Sequence, residues 1–467
     1  MADTCPGCRE RDARIAELQR QMAELQVQLR DLQQRLGVDA TNSSLPPSAN
    51  PPDGRKPVVK TPTGRRPGGQ PGHSAHQRLR LPPERVQHII RLLPERCERC
   101  QTPLPTEPGP HDPEPTWHQV VELPRVTAVV TEYQGHARTC SGCGHVTHEE
   151  IPQEIRRHGS GERLAATLSY LSGCPHVSKR GVEEIVETVF GVPISLGTVA
   201  NLEQEMSAAL APAHAEAQQA VQAAPAKQAD ETGWKQAGQP RWLWAAATAT
   251  VACFVIHTSR GAAGLLALLG QKIRGIVASD RWSAYQRLML RSRQICWAHL
   301  KRDFQKLVDR GGLAEAYGEK GLAAVAILFH EWHLFRGGGS RKQLQFELEP
   351  VRRGMRAWLE DGASCAEKKT ARFCQNLLDL EPALWTFLYK RGVEPTNNQI
   401  ERLLRSGVLW RKRAFGCHSA CGCRFVERIL TVTQTLRLQK RSVLDYLVHA
   451  LQAHRAGQPA PKLLPAG

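Results

Sequence analysis

The sequence lacks any apolar run of roughly 18 residues, the length that a membrane-spanning helix needs. Its first residues, MADTCPGCRERDAR, contain no apolar core of a secretion signal, so we expect a cytoplasmic protein and no membrane partner. Cysteine is scarce, with 14 in 467 residues, which argues against a disulfide scaffold. In a reducing compartment, C-x-x-C pairs favour zinc. Three such pairs occur: Cys5/Cys8, Cys97/Cys100 and Cys140/Cys143.

The net charge is +17 and the isoelectric point is about 9.5. A basic surplus of this size favours a polyanionic partner, because each Lys or Arg placed against a phosphate releases counterions. A soluble protein that is basic for other reasons is the alternative. Length predicts several domains, roughly one per 150 residues.

The N-terminal residues 1–40 carry a heptad pattern that predicts a coiled coil and hence a homodimer or higher oligomer. An amphipathic helix packed on its own chain is the alternative. The apolar seam consists of Ile15, Leu18, Met22, Leu25, Leu29, Leu32 and Leu36. Residues 41–85 are rich in Pro, Gly and basic residues, which indicates a flexible arm. Arg65 and Arg66 are its candidate DNA contacts, and a solvated linker is the alternative.

Residues 86–152 contain the second and third C-x-x-C pairs, with strand-like segments at 117–123 and 126–133 between them. Four thiolates favour a closed, structural zinc site, although the 39-residue loop between the pairs is long for a compact ribbon. Four free thiols are the alternative. The expected ligands are Cys97, Cys100, Cys140 and Cys143.

Residues 153–225 have helical patterns at 163–171, 179–190 and 196–210. Ser195 is a suitable N-cap for the last of them. The last two helices are compatible with a helix-turn-helix that reads DNA, although many helical pairs look the same.

Residues 226–310 change to an α/β pattern. We expect a hairpin of strands at 242–248 and 253–259, a helix at 261–270, a strand at 275–280 and a helix at 282–290. Residues 311–392 read as a helical insertion, residues 393–455 as a helical end of the core, and residues 456–467 as a disordered tail.

Three acids stand at element ends. Asp230 lies beside strand-forming sequence, and Asp280 ends the apolar segment GIVASD. Ligands gather outside strand ends in α/β sheets, and hard cations prefer carboxylate oxygens. Thr396 and Gln399 have the spacing of a capping box, which would put Glu401 in the second turn of a helix.

Each acid has an ordinary alternative role. Asp280 could be a turn residue, Glu231 competes with Asp230, and Glu401 could pair with Arg405. The helix that carries Glu401 also contains a basic run suited to a DNA backbone, formed by Arg402, Arg405, Arg411, Lys412 and Arg413.

Several segments, in this order, resemble transposases of the insertion-sequence-sixty-six family over nearly the whole chain. They are NSSLPPSANPP with GGQPGH, the paired C-x-x-C knuckles, DETGW followed by WLWAA, SDRWSAY, CWAHLKRDF and TNNQIERLLRSGVLWRKRAFG. The resemblance implies a ribonuclease-H-like core with a helical insertion and an Asp-Asp-Glu triad. The acids fall on Asp230, Asp280 and Glu401.

The resemblance also matches a C-x-x-H signature of unknown role at Cys296 and His299, for which core packing is an equal interpretation. Gln101 departs from the family, which tends to have Gly there. Cys417, Cys421 and Cys423 receive no metal from the resemblance, and we expect packing thiols. Accessory proteins of the same element are expected partners.

We therefore expect a multidomain α/β and α protein. A coiled coil, a zinc-binding domain and a helical DNA-binding region precede the catalytic core. The expected function is cleavage of insertion-sequence ends and strand transfer into double-stranded target DNA, with Mg²⁺ or Mn²⁺ at the triad and structural Zn²⁺. Such a protein would be nucleoid-associated through DNA. The alternatives are a non-catalytic zinc-containing DNA-binding regulator and an interaction subunit that needs accessory proteins.

Overall fold

The structure is a computed structural model that describes residues 79–465, together with residues 14, 17 and 20–22. The five N-terminal described residues are helical, and Met22 of the predicted seam is 60% exposed. The rest of that seam, the Cys5/Cys8 pair and the basic arm up to residue 78, with Arg65 and Arg66, lie outside the described residues. No helix within the described part is long and apolar enough to cross a membrane.

The chain divides into two units, residues 55–127 and the remainder. In the described part of the smaller unit, regular structure is confined to a 3-10 turn at Pro83–Arg85 and a bridge between Arg96 and Pro103. The strands expected at 117–123 and 126–133 are wrong, because neither segment pairs with another strand. Their apolar side chains, among them Val120 and Val129, are exposed, so no buried face holds a ladder together.

Seven strands form two sheets in the described part of the larger unit. A short antiparallel hairpin stands apart from a five-stranded mixed sheet of order β5-β4-β3-β6-β7. The strands are β1 (Ala137–Thr139), β2 (Val146–His148), β3 (Ala226–Gln236), β4 (Gln239–Ala247), β5 (Ala252–His257), β6 (Ile276–Ser279) and β7 (Arg293–Ile295).

Helices before the sheet confirm the predicted helical region. They are α1 (Gln153–Arg156), α2 (Glu162–Gly173), α3 (Lys179–Phe190), α4 (Leu196–Ala209) and α5 (Ala211–Ala223). Ser195 caps α4 as expected, accepting a hydrogen bond from the Thr198 backbone N–H at 3.2 Å. The segment LGTVANLEQEMSAA of α4 carries no Lys or Arg, so phosphate contacts would have to come from elsewhere in this region.

The remaining helices follow β5. They are α6 (Ala262–Leu269), α7 (Trp297–Arg310), α8 (Leu313–Arg336), α9 (Arg341–Ala363), α10 (Lys368–Asp379), α11 (Glu381–Leu384), α12 (Thr386–Tyr389), α13 (Asn398–Ala414), α14 (Ala420–Leu438) and α15 (Val443–Arg455). Helices α8 to α12 occupy the predicted insertion between β7 and α13 and, with α7, build a core of their own around Trp297, Phe304 and Trp385.

Strands β3, β4 and β5 form an antiparallel meander, and β6 and β7 continue the sheet in parallel with β3. Alternate side chains of β3 and β4 face opposite cores. Trp234, Leu243 and Ala245 pack against helix α13, whereas Ala229 and Trp244 pack against the N-terminal helices. Because the side-chain period of a strand is two, Asp230 shares the α13 face with Gln228 and Trp234.

Helix α13 lies unusually close to the sheet at Gly407. A Cβ at this position would stand 2.3 Å from Leu243 Cδ2, so a larger residue would require the buried Leu243 side chain or the helix to shift. The helix is also joined to the α2–α3 loop, where the His176 ring meets Trp410 at 5.2 Å and His176 Nε2 lies 2.9 Å from Ser406 Oγ. Burial, followed by the charges of Arg437 and Arg413, lowers the pKa of His176 to about 4, so the ring packs in its neutral form.

Three expectations about local structure are wrong. The segment 282–290 forms 3-10 turns at Ser283–Arg287 and Leu290–Ser292 and no single helix. The capping box at Thr396 does not form, since α13 begins at Asn398 without a side-chain cap and Glu401 falls in its first turn. Gln399 instead donates to the Thr248 carbonyl at 2.8 Å, so a tertiary contact uses the side chain that a capping box would need.

The tail expected to be disordered is packed up to residue 465. Leu463 is fully buried, and its backbone N–H donates to Glu216 at 3.0 Å. Tyr446 and Arg441 hold it further by donating to the carbonyls of Pro461 and Leu463. Leu463, the partly buried Leu464 and these hydrogen bonds together hold a segment that has the composition of a loop.

Replacing Gly407 by valine should lower the free energy of unfolding by about 1–3 kcal/mol, because the added atoms overpack the buried Leu243. Gly354 of α9, where a Cβ meets open space, provides the matched control. Gly354→Val should change stability by no more than about 0.5 kcal/mol. Urea unfolding followed by tryptophan fluorescence measures both, and equal effects of the two variants would contradict the close approach of α13.

Candidate active site

Asp230 and Asp280 come from adjacent parallel strands at the same level of the sheet. Gln228 of β3 is in register with Ala278 of β6, and each aspartate lies two residues further along its chain. Strand β6 ends at Ser279, so Asp280 stands immediately beyond the strand end, as predicted. Both carboxylates are half-buried. The pairing of β3 with β6 therefore brings two acids, far apart in sequence, to one edge of the sheet.

Glu401 reaches the same face through the first turn of α13. The Ile400 backbone N–H donates to Gln228 Oε1 at 3.2 Å, which ties the start of the helix to β3 two residues before Asp230. Gln399 adds its bond to Thr248 at the end of β4. Glu401 contributes to the electrostatic field at Asp230, together with Asp280. The i,i+4 pair with Arg405, which was the alternative role for Glu401, is not among its ion pairs, which involve His299 and Arg302.

Asp230 lies in an environment that is unfavourable for a charged carboxylate. Burial first, and then the charges of Glu231, Asp280 and Glu401, raise the pKa of Asp230 well above its usual range. Asp230 Oδ1 accepts a bond from the Glu231 backbone N–H, and Asp280 Oδ1 accepts one from Trp282, both at 2.9 Å. These single bonds offset only part of the cost of grouping carboxylates.

Glu231, the sequence competitor of Asp230, points to the opposite side of β3. Its carboxylate accepts bonds from Arg260 Nε at 3.1 Å and from the Tyr285 hydroxyl at 2.9 Å. Arg260 stacks over Trp282 and Trp242, with its guanidinium carbon 3.8 and 4.7 Å from the two ring centroids. Burial and the nearby Asp280 raise the pKa of Glu231 to about 7. Glu231 is therefore a structural anchor that supports the loop after β6.

The Cys296 and His299 signature lies directly beside Glu401. One ligand atom from each of these three residues falls within 4.8 Å of the other two. Within the described residues, the carboxylate oxygens of Asp230, Asp280 and Glu401 do not all lie within 4.8 Å of one another. His299 Nδ1 stands 3.5 Å from Glu401 Oε1 without the geometry of a hydrogen bond, and Arg302 lies 3.6 Å from Oε2.

The three acids fit a divalent cation such as Mg²⁺ or Mn²⁺. Carboxylate oxygens are the donors that such hard ions prefer. Burial first, and then the neighbouring carboxylates, raise the pKa of Asp230, and a bound cation would favour its charged form. Glu401 Oε1 is buried without a hydrogen-bond partner within the described residues, so a carboxylate oxygen is available for coordination.

The basic run of α13 divides into two groups. Arg402 and Arg405 are exposed. Arg411 donates to the Gly233 carbonyl and to Thr232 Oγ1, and burial lowers its pKa. Arg413 donates to the Pro175 carbonyl at 2.9 Å. Two of the five predicted DNA contacts thus hold α13 in place, and Lys412 is also engaged in an interaction.

Each C-x-x-C pair in the described residues forms the same tight turn. The Gln101 backbone N–H donates to the Cys97 carbonyl, and that of Gly144 donates to Cys140, both at 2.9 Å. Gln101 has φ 60° and Gly144 has φ 75°, so both occupy the left-handed region. This explains the tendency for glycine after the second cysteine, and Gln101 adopts the conformation at a cost of roughly 1–2 kcal/mol.

Sequence reasoning missed three buried polar residues around the site. For Gln228, the only indication in the sequence was its position two residues before Asp230, on the same face of the strand. Arg293 is 1% exposed and donates to the Asp280 carbonyl at 3.0 Å, and nothing in the short strand RQI indicated this. Asn397 is fully buried, and its side-chain Oδ1 and Nδ2 have no hydrogen-bond partner in the described residues. It lies in the segment TNNQIE, whose pattern drew attention to the acid alone.

Replacing Asp230 by asparagine should stabilise the metal-free protein at neutral pH by on the order of 1 kcal/mol, because it removes one of several mutually repelling carboxylates. Asp303, which pairs with Arg281 at 2.6 Å, is the control, and Asp303→Asn should lose about 0.5–1 kcal/mol. Thermal unfolding in chelator measures both. Saturating Mg²⁺ should raise the Tm of the wild type more than that of Asp230→Asn. A destabilised Asp230→Asn protein would contradict the proposed electrostatic strain.

Comparison with known proteins places these residues in a family. A curated relative, "Uncharacterized protein y4qI" of Sinorhizobium fredii (strain NBRC 101917 / NGR234), is 28% identical over 207 residues, 40% of this chain and 38% of that protein. The chain thus matches well under half the length of that relative. Residues 4–79 match a family of unknown function, DUF6444. Residues 159–424, more than half of the chain and including all three acids, match the Transposase IS66 family, and the chain belongs to that family.

Proposed function

We propose that this chain cuts and joins DNA during transposition, with Asp230, Asp280 and Glu401 as its catalytic metal ligands. Membership of a transposase family implies a role in transposition and binding to DNA. The observation that carries the finer proposal is the convergence of β3, the end of β6 and the first turn of α13, held by the Gln228–Ile400 bond.

We further propose that the core is ribonuclease-H-like. Its support is the sheet order β5-β4-β3-β6-β7, in which an antiparallel meander is followed by two parallel strands. The helical insertion separates β7 from α13, so the third acid returns to the sheet from a late helix. This arrangement agrees with the order of acids that the sequence motifs implied.

The chemistry required is in-line displacement at phosphorus. Bound divalent ions supply electrophilic stabilisation of the phosphate and a more acidic attacking hydroxyl. When water attacks, the bond from phosphorus to the 3′-oxygen breaks and a 3′-hydroxyl is freed. When that hydroxyl attacks a target phosphate, the element end is joined and a target 3′-hydroxyl leaves. The task of Asp230, Asp280 and Glu401 is to hold the ions and so fix the line of attack.

Protein groups around the acids would position the DNA. Arg402 and Arg405 are exposed on the same helix as Glu401 and are suited to neighbouring phosphates. Arg293 fixes the backbone of Asp280. The structural zinc that we propose at Cys97, Cys100, Cys140 and Cys143 rests on the sequence and on the matching turn of each pair. Oligomerisation and accessory proteins of the element remain part of the proposal.

The test is cleavage of DNA that carries the element's own ends. Asp280→Asn keeps an oxygen for the Trp282 N–H but removes the charge, so it should bind DNA normally and lose at least about 100-fold in Mg²⁺-dependent cleavage. Asp379→Asn, an exposed acid of α10, is the matched control and should retain full activity.

The outcomes separate the alternatives. Equal cleavage by wild type and Asp280→Asn would refute the proposed triad. DNA binding without cleavage by any variant, even when the element's accessory proteins are added, would favour the non-catalytic regulator. Cleavage that appears only with those proteins and still depends on Asp280 would support a catalytic subunit that needs partners.

A further inference from the structure

The region beside Glu401 contains more unpaired buried polar atoms than a packed core should. His299 Nδ1, Glu401 Oε1 and both side-chain polar atoms of Asn397 have no hydrogen-bond partner in the described residues. Asn397 is fully buried, at 0% relative accessibility. Its backbone N–H donates to Cys296 Sγ at 3.4 Å. Buried polar groups are normally satisfied, so these atoms indicate a ligand.

The groups that surround this point form a recognisable donor set. The Cys296 sulfur, a His299 nitrogen and a Glu401 oxygen lie within 4.8 Å of one another. Bonds of about 2.0–2.3 Å to a tetrahedral Zn²⁺ would place ligand atoms roughly 3.3–3.7 Å apart, so a pair of ligand atoms needs to close by at most about 1.5 Å. His299 Nδ1 already lies 3.5 Å from Glu401 Oε1. Thiolate and imidazole favour Zn²⁺ over Mg²⁺, which seeks oxygen.

The elements that carry these ligands are held rigidly together. Cys296 immediately precedes α7, and its backbone N–H donates to the Ser279 carbonyl at the end of β6. The Trp297 N–H donates to the Pro395 carbonyl, which anchors the start of α7 to the segment before α13. The cluster is therefore built where three elements of the candidate active site meet, with its ligands fixed by backbone contacts.

We propose that Cys296, His299 and Glu401 form a binding site for a thiophilic divalent cation such as Zn²⁺, and that its occupation removes Glu401 from the hard-metal site and stops cleavage. Binding replaces the thiol proton with the metal and releases that proton to solvent. The second part rests on the proposed function, whereas the first stands on the cluster alone. The transposase would then be inhibited by free zinc while using Mg²⁺ for catalysis.

Cobalt titration tests the binding site without reference to activity. The metal-depleted full chain is titrated with Co²⁺, and sulfur ligation is read from the cobalt–thiolate charge-transfer band. The proposed zinc site at the C-x-x-C pairs would also take up cobalt, so the informative quantity is the difference between proteins. Cys296→Ser should lose one equivalent of thiolate-bound cobalt. Cys174→Ser should lose none, because among the described residues the buried Cys174 belongs to no group of three potential metal ligands.

A second variant keeps the test informative if Cys296→Ser misfolds. His299→Gln should retain the band but weaken cobalt binding at this site at least tenfold, and circular dichroism should show wild-type helicity. If both variants bind cobalt with the stoichiometry and affinity of the wild type, the proposed metal site is overturned.

Inhibition tests the consequence. Zn²⁺ added to Mg²⁺-dependent cleavage should inhibit the wild type and Cys174→Ser at the same concentration. Whatever activity Cys296→Ser retains should need at least tenfold more zinc for half-inhibition. If the same zinc concentration half-inhibits all three proteins, the proposal that zinc removes Glu401 from the hard-metal site is overturned. If no protein cleaves even when the element's accessory proteins are added, the triad proposal fails, while the cobalt result still decides the metal site.

Discussion

The packing of α13 against the mixed sheet is the constraint on which the candidate site depends. Gly407 lets the helix approach Leu243, and the Ile400 N–H bonds to Gln228 on the strand of Asp230. Arg411 and Arg413 secure the later turns by donating to backbone carbonyls. Together with the Gln399–Thr248 bond, these contacts hold the first turn of α13, and therefore Glu401, against the face of β3 that carries Asp230.

The site illustrates a conflict between folding and chemistry. Burial and the neighbouring acids raise the pKa of Asp230, and Glu401 Oε1 makes no hydrogen bond within the described residues. Such groups destabilise a metal-free fold, and the surrounding packing must offset that cost. The opposite face of β3 shows the contrasting solution, in which Glu231 is satisfied by Arg260 and Tyr285. Asp230 and Glu231 are adjacent in β3 but lie in different environments, because successive side chains of a strand point to opposite faces of the sheet.

The sequence predicted elements whose signals are local. The hairpin of β4 and β5, the strand before Asp280 and the helices α3 and α4 follow from apolar runs and caps. The errors occurred where a tertiary contact overrode a local signal. Gln399 bonds to Thr248 and so forms no capping box, and Leu463 orders a tail that looks like a loop. The acids could be found from motifs, but Gln228, Arg293 and Asn397 could not, since their roles arise only from packing.

Iron-directed cleavage of the protein backbone tests the central claim most directly. Fe²⁺ bound at the site, with ascorbate and peroxide, generates radicals that cut the chain beside the metal ligands. Our account predicts cuts near residues 230, 280 and 401 together, in segments remote in sequence, and their suppression by excess Mg²⁺. Cuts that spare the segments around Asp230 and Asp280 would contradict the proposal that the three carboxylates share divalent metal.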